Sequence, residues 1–192
     1  MEAFLAILAP RLLGDTAFAT HTFQCKDDLL LRLPKRLAGD AAWMPASWRI
    51  VVIVDRDDDE CAELKAKLEA AARAAGMSTR FSAPRRWQLV NRIAIEELEA
   101  WYFGDWKAVR AAYPRVPSTT AERAGLRDPD AIRGGTWETF ERTLQKAGYF
   151  TTGLRKIEAA RRIAAEMDPA RNRSASFVAL REVLGELASS AR

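Results

Sequence analysis

One stretch constrains this chain more than any other: Trp48-Arg49-Ile50-Val51-Val52-Ile53-Val54-Asp55. A continuous β-branched run exposes apolar surface whichever way it faces. It therefore predicts a strand covered on both faces, as in a parallel sheet sandwiched by helices. The run ends abruptly in Asp55-Arg56-Asp57-Asp58-Asp59-Glu60. In open parallel sheets the working residues lie just beyond the carboxyl ends of the strands, which is where these acids fall.

Asp55 and Asp57 are two residues apart, so in extended backbone they point to the same side. So much negative charge repels itself unless a divalent cation or a basic partner offsets it. Mg²⁺ is commonly held by one or two carboxylates, with waters and substrate phosphates completing its shell, and Mn²⁺ accepts the same hard oxygens. Asp55, Asp57 and Asp59 are accordingly the candidate metal ligands. Helix capping competes for these residues: Asp57 is able to cap the next helix with Glu60 as its reciprocal partner. Capping uses one or two acids and leaves the others without a reason.

The surrounding pattern alternates strand and helix. Residues 3–13 set Phe4, Leu8 and Leu12 on one helical face, and Gly14 is a stop. Segment 17–25 reads as a strand. Asp27-Asp28 precede a helix carrying Leu29, Leu30 and Leu33, which Pro34 is expected to kink or divide. Residues 39–47 read as a loop. After the acids, a helix runs to about residue 75 on Leu64, Leu68, Ala71 and Ala75, and Gly76 ends it. Segments 78–83 and 88–95 are weaker strands. The pattern predicts an α/β fold with a mostly parallel sheet and flanking helices.

From Trp106 the strand signal disappears. Residues 114–136 resemble a long surface connection, and helices are predicted at about 137–147, 154–166 and 176–188. The last sets Phe177, Leu180, Leu184 and Leu187 at helical spacing, with Ser174 or Ser176 as N-cap. The division expected is an α/β core over 1–106 and an α-helical C-terminal extension over 107–192. Charge follows that division, because 107–192 hold 16 Lys+Arg against 10 Asp+Glu while 1–106 hold 14 against 16. That asymmetry suits a metal-dependent nucleic-acid enzyme, whose carboxylates hold cations and whose arginines neutralise phosphates, and it equally suits a solvated surface with a chance imbalance. Arg155, Lys156, Arg161, Arg162, Arg171 and Arg173 are the expected phosphate contacts, with Lys156 the candidate near the site.

Cys25 and Cys61 are the only cysteines and His21 the sole histidine. Zinc sites, a Ser-His-Asp triad and a thiol–imidazole pair are therefore poor readings, and chemistry must run on carboxylates, lysines and arginines. The apolar runs are too short to span a bilayer, and Met1-Glu2-Ala3-Phe4 lacks the basic region of a secretory signal. The expectation is a cytoplasmic chain. A second acidic cluster, Glu96-Glu97-Leu98-Glu99-Ala100-Trp101, follows the last predicted strand. In a helix beginning near Glu96, Glu96 and Glu99 share a face and Glu97 lies on that of Trp101.

Three segments in this order, Ile-Val-Val-Ile-Val-Asp55-Arg-Asp57-Asp58-Asp59, then Ala-Ile-Glu-Glu97-Leu-Glu99-Ala-Trp101, then Gly153-Leu-Arg-Lys156-Ile-Glu-Ala-Ala with Asn172-Arg-Ser174-Ala-Ser176-Phe177, resemble the bacterial Toprim-like family known as domain of unknown function 4276. The likeness covers essentially the whole chain. Toprim domains are catalytic modules of primases, topoisomerases and overcoming-lysogenization-type nucleases, and relatives in phage-defence loci accompany an ABC- or SMC-type ATPase. The resemblance implies a Rossmann-like Toprim core and makes Asp55 and Asp57 the metal-binding Asp-x-Asp. Glu99, with Glu97, becomes the downstream acid. Toprim domains open with a strand ending in a glutamate, whereas this chain opens in the helix that follows. Either a preceding strand has been lost or that glutamate is absent, with Glu2 the nearby substitute.

The leading expectation is thus a Mg²⁺-dependent nuclease-like protein acting on DNA or RNA beside an ATPase partner. A degenerate, non-catalytic Toprim-like binding subunit is the alternative. Phosphoryl transfer with Asp55 as acceptor is a third.

Overall fold

A computed structural model describes residues 1–190. In chain order the elements are α1 (Glu2–Leu13), α2 (Lys26–Ala41), β1 (Ile50–Asp55), α3 (Cys61–Ala74), β2 (Leu89–Ala94), α4 (Leu98–Gly104), α5 (Trp106–Ala112), α6 (Thr136–Lys146), α7 (Lys156–Glu166) and α8 (Ala175–Ser190). Short 3-10 turns lie at Thr120–Glu122 and Pro129–Ala131. The protein is a mixed α/β chain whose described residues hold eight α-helices and one small parallel sheet. None of those helices is long and apolar enough to cross a membrane. Two units divide the chain: His21–Ala94, and Met1–Thr20 with Ile95–Arg192.

The unit His21–Ala94 contains the β-branched run as β1, paired in parallel with β2 from Ile50 opposite Leu89 to Asp55 opposite Ala94. Val52 and Val54 point into a core made with Leu29, Leu33 and Leu37 of α2 and Leu64, Leu68 and Ala72 of α3. The opposite face of β1 is half-buried, so the strand alternates rather than being covered on both sides. Gly76 lies at φ 71°, the left-handed conformation that glycine adopts without a Cβ penalty, and the Met77 N–H closes back on the Ala72 carbonyl at 3.0 Å to end α3.

The structure departs from several sequence expectations. The sheet has two strands among the described residues, not more. Segment 17–25 is not a strand; it is the passage by which the chain leaves one unit and enters the other, exposed except for Phe23, which packs against the core. Segment 78–83 keeps a single bridge, Thr79 to Leu89. The reason is local: the Thr79 and Ser82 side chains each accept the other's backbone N–H at 3.0 Å, and the Ala83 N–H bonds the Thr79 carbonyl at 2.8 Å. That turn withdraws the donors a ladder would need. Pro34 does not divide α2, whose buried leucines hold the helix on one side. Pro34 itself lies on the exposed side. Neither Asp27 nor Asp28 is the N-cap of α2; Cys25 occupies that position, and Asp28 reaches back to the Gln24 N–H at 3.2 Å.

In the other unit the core is aromatic. Every residue of α4 is buried. Trp101 packs against Phe4 and Phe177 at ring separations of 5.7 and 5.4 Å, and Tyr102 against Phe140 at 5.1 Å. Arg11 of α1 donates to the carbonyls of Ala164 (2.8 Å) and Met167 (2.7 Å), satisfying the C-terminal end of α7.

Tyr113 gives this core a pH signature. It is fully buried, its hydroxyl has no hydrogen-bond partner, and burial pushes its pKa up to about 12. A raised folded-state pKa means its contribution is complete below the unfolded value near 10 and is lost as pH rises toward 12. Unfolding titrations should show alkaline destabilisation on the order of 2 kcal/mol across that window. Tyr113→Phe should abolish this loss and should not lower stability at pH 7, since no hydrogen bond is removed. An unchanged alkaline slope in that variant would refute the assignment.

Candidate functional site

The acids after β1 are set by the end of the sheet. The Arg56 N–H makes a last bond to the Ala94 carbonyl at 2.9 Å, and pairing stops there. Asp57 then takes a left-handed backbone, φ 50°, which an aspartate tolerates better than most residues. Glu60, not Asp57, caps α3; its carboxylate accepts the N–H groups of Ala62 (2.7 Å) and Glu63 (3.1 Å). Capping therefore leaves Asp55, Asp57 and Asp59 for other roles.

Asp57 and Asp59 converge on one cation, Lys26. Its Nζ lies 3.1 Å from Asp57 Oδ2, 2.9 Å from Asp59 Oδ2, and 2.9 Å from the Arg56 carbonyl. The lysine side chain is only 16% exposed, while the two carboxylates are 45% and 34% exposed. Burial works against the Lys26 charge, but its hydrogen bonds to Asp59 and Asp57 outweigh this and hold its pKa above the ordinary value. The hydrogen bond from Lys26 holds Asp59 below the usual carboxylate range. The depressed Asp59 contributes stability above its unfolded value of 3.8, lost as pH falls through its lower folded value. The raised Lys26 contributes below 10.5, lost as pH climbs through its higher folded value. The cluster is intact across the neutral range.

The other sequence-predicted residues lie in the second unit. Glu2 is exposed in the first turn of α1, where its charge suits the helix dipole. Helix α4 starts at Leu98 rather than near Glu96, because Glu96 has φ 63° and Glu97 is extended. Glu97 accepts the Trp137 N–H at 2.9 Å, satisfying an N-terminal donor of α6. Lys156 places its ammonium 4.3 Å from the centre of the Trp137 ring, so Glu97 and Lys156 meet at one tryptophan. Glu99 is 6% exposed in the first turn of α4. Among the described residues, no group of three or more His, Cys, Asp and Glu side chains is arranged to hold a metal ion.

The tail segment Asn172 to Phe177 has a different role from Lys156. Ser174 Oγ accepts the Phe177 N–H at 3.2 Å, as its expected N-cap role requires. Asp130, which sequence reasoning passed over, receives the hydroxyls of Ser174 and Ser176, both at 2.8 Å, and the Ser176 N–H at 3.1 Å. Trp101 Nε1 donates to Ser176 Oγ at 2.9 Å. Arg171 is bound to Asp105 and so is a structural arginine rather than an open phosphate contact.

A family model described as Domain of unknown function (DUF4276) matches residues 1–186. The chain belongs to this family. No curated protein and no solved structure matches it. The three segments that carry the family resemblance thus divide physically in this DUF4276 chain. One supplies the carboxylates around Lys26, one supplies Glu97 and the buried α4, and the tail supplies Lys156 and the buried polar turn before α8.

Proposed function

We propose that this chain is a Mg²⁺-dependent, nuclease-like protein with a Toprim-like core, acting on DNA or RNA in the bacterial cytoplasm beside an ABC- or SMC-type ATPase in phage defence. The partner and setting rest on the family resemblance. The site reading rests on one observation: Asp57 Oδ2 and Asp59 Oδ2 converge within 3.1 Å of a single positive charge at the end of a parallel strand.

The residues fit a hard cation. Two partly exposed carboxylates already share one counter-ion, and that number is enough for Mg²⁺ when water and phosphate complete the shell. Asp57 and Asp59 would hold the ion, with Asp55 beside them in sequence. Once bound, Mg²⁺ supplies polarisation of a phosphate oxygen and a more acidic water. Lys26, released from the acids, offers its ammonium to phosphate charge. The family resemblance, not the geometry, makes Glu99 or Glu97 the second ligand or base and Lys156 a phosphate contact.

The alternative is a non-catalytic binding subunit. Its support is that Lys26 already neutralises the pair and that no three-acid group stands ready among the described residues. Calorimetric Mg²⁺ titration separates the two. In the first reading, Lys26→Met tightens Mg²⁺ binding about tenfold, equivalent to roughly 1.4 kcal/mol. Asp57→Asn with Asp59→Asn then abolishes both binding and Mg²⁺-dependent cleavage. Absence of Mg²⁺ binding in wild type and Lys26→Met alike would leave only the binding-subunit reading.

A further inference from the structure

Away from the acids, the helical unit contains a cavity of about 230 Å³ between the segment after α5 and helix α6. Arg115, Arg123, Arg142 and Lys146 line it, and no acidic side chain does. None of the four forms an ion pair with a described carboxylate. On α6 the pattern is periodic: Thr139, Arg142, Thr143 and Lys146 share the cavity side, while Phe140 and Leu144 are buried.

Two of these cations are held in place. Arg115 donates to the Gly148 carbonyl at 2.7 Å and stacks 4.2 Å from the Tyr149 ring centre. Arg142 donates to Thr139 Oγ1 at 2.9 Å. Such prior ordering lowers the entropy lost when a ligand is gripped. Thr120 also lines the cavity; it is 1% exposed, and its hydroxyl has no hydrogen-bond partner. Buried hydroxyls are normally satisfied, so this one is a donor in need of an acceptor. Four like charges around one hollow repel each other, and a multivalent oxyanion removes that repulsion while accepting from guanidinium, ammonium and hydroxyl together.

We propose that this cavity is a phosphate-binding site, taking a phosphate group carried by a small molecule or by a nucleic-acid strand. It uses none of the carboxylates around Lys26, so its test stands whether or not they bind Mg²⁺. The full chain is titrated, in Mg²⁺-free buffer at fixed salt, with inorganic pyrophosphate and with a single-stranded oligonucleotide with and without a 5′-phosphate. Saturable binding is expected. Arg123→Gln with Lys146→Gln changes exposed side chains only, and should weaken binding at least about tenfold with an unchanged unfolding midpoint. Thr120→Val should weaken it several-fold without loss of stability, since the hydroxyl has no bond to lose. Pyrophosphate binding alone assigns a small ligand. Oligonucleotide binding that needs the 5′-phosphate assigns a strand end, and binding that ignores it assigns the strand backbone. No saturable binding of any probe, or equal affinity in the double variant, overturns the site.

Discussion

Replacing Asp105 by Ala should destabilise the protein by about 3 kcal/mol, because its fully buried carboxylate serves three elements at once. It accepts the Ala108 N–H at 3.3 Å as the cap of α5 and the Asp168 N–H at 2.9 Å after α7. It also takes two bonds from Arg171, at 2.7 and 2.9 Å, ahead of α8. The paired fork also raises the Arg171 pKa above its ordinary value, through hydrogen bonding to Asp105. Arg171→Ala should cost at least as much, since it leaves a buried charge with only backbone donors. Denaturant midpoints for both single variants and the double variant check this. A loss below about 1 kcal/mol in Asp105→Ala, or simple additivity, contradicts the coupling.

Gly104→Ala should be comparably damaging, although this glycine is helical and needs no unusual backbone. A Cβ there would overlap Asn172 Oδ1 and lie 3.0 Å from the Ser174 nitrogen. The Asn172 side chain cannot swing aside cheaply. Its Nδ2 donates to the Trp101 carbonyl at 2.8 Å, and its Oδ1 accepts the Ser174 N–H at 3.0 Å. Overpacking costs about 1–3 kcal/mol, and each buried polar group left unpaired a similar amount. The expected total is about 3 kcal/mol or more. Combining Gly104→Ala with Asn172→Ala should cost less than the sum of the single losses, because both break the same contact. A Gly104→Ala protein of wild-type stability would mean the approach of these segments is looser than described.

These two variants bear on function through the tail. Asn172, Ser174 and Ser176 carry part of the family resemblance, yet each is buried and hydrogen-bonded within its own unit. They fix the turn before α8 against α4. The cations that line the cavity, Arg115, Arg123, Arg142 and Lys146, come from α6 and the segment before it. Spacing could have found part of that site: Arg142 and Lys146 are four apart on a helix whose other face is apolar. Arg115, Arg123 and Thr120 come from an irregular segment, where no periodicity shows which side chains share a wall.

What depended on nearest neighbours was legible in the amino-acid order. β1, α3 with its glycine stop and the apolar stripe of α8 follow from period and end signals, because backbone propensity and one-sided burial act over a few residues. The aspartates after β1 were equally visible, since a strand that ends in charge must place it outside the sheet. Folding alone decided which cation meets them: Lys26 is about thirty residues earlier and carried no local sign of its partners. The same holds for Asp105 with Arg171, for Asp130 with the serines, and for Thr79, whose turn with Ser82 displaced a strand. Polar partners distant in the chain are selected by packing geometry, and a linear sequence does not display that geometry.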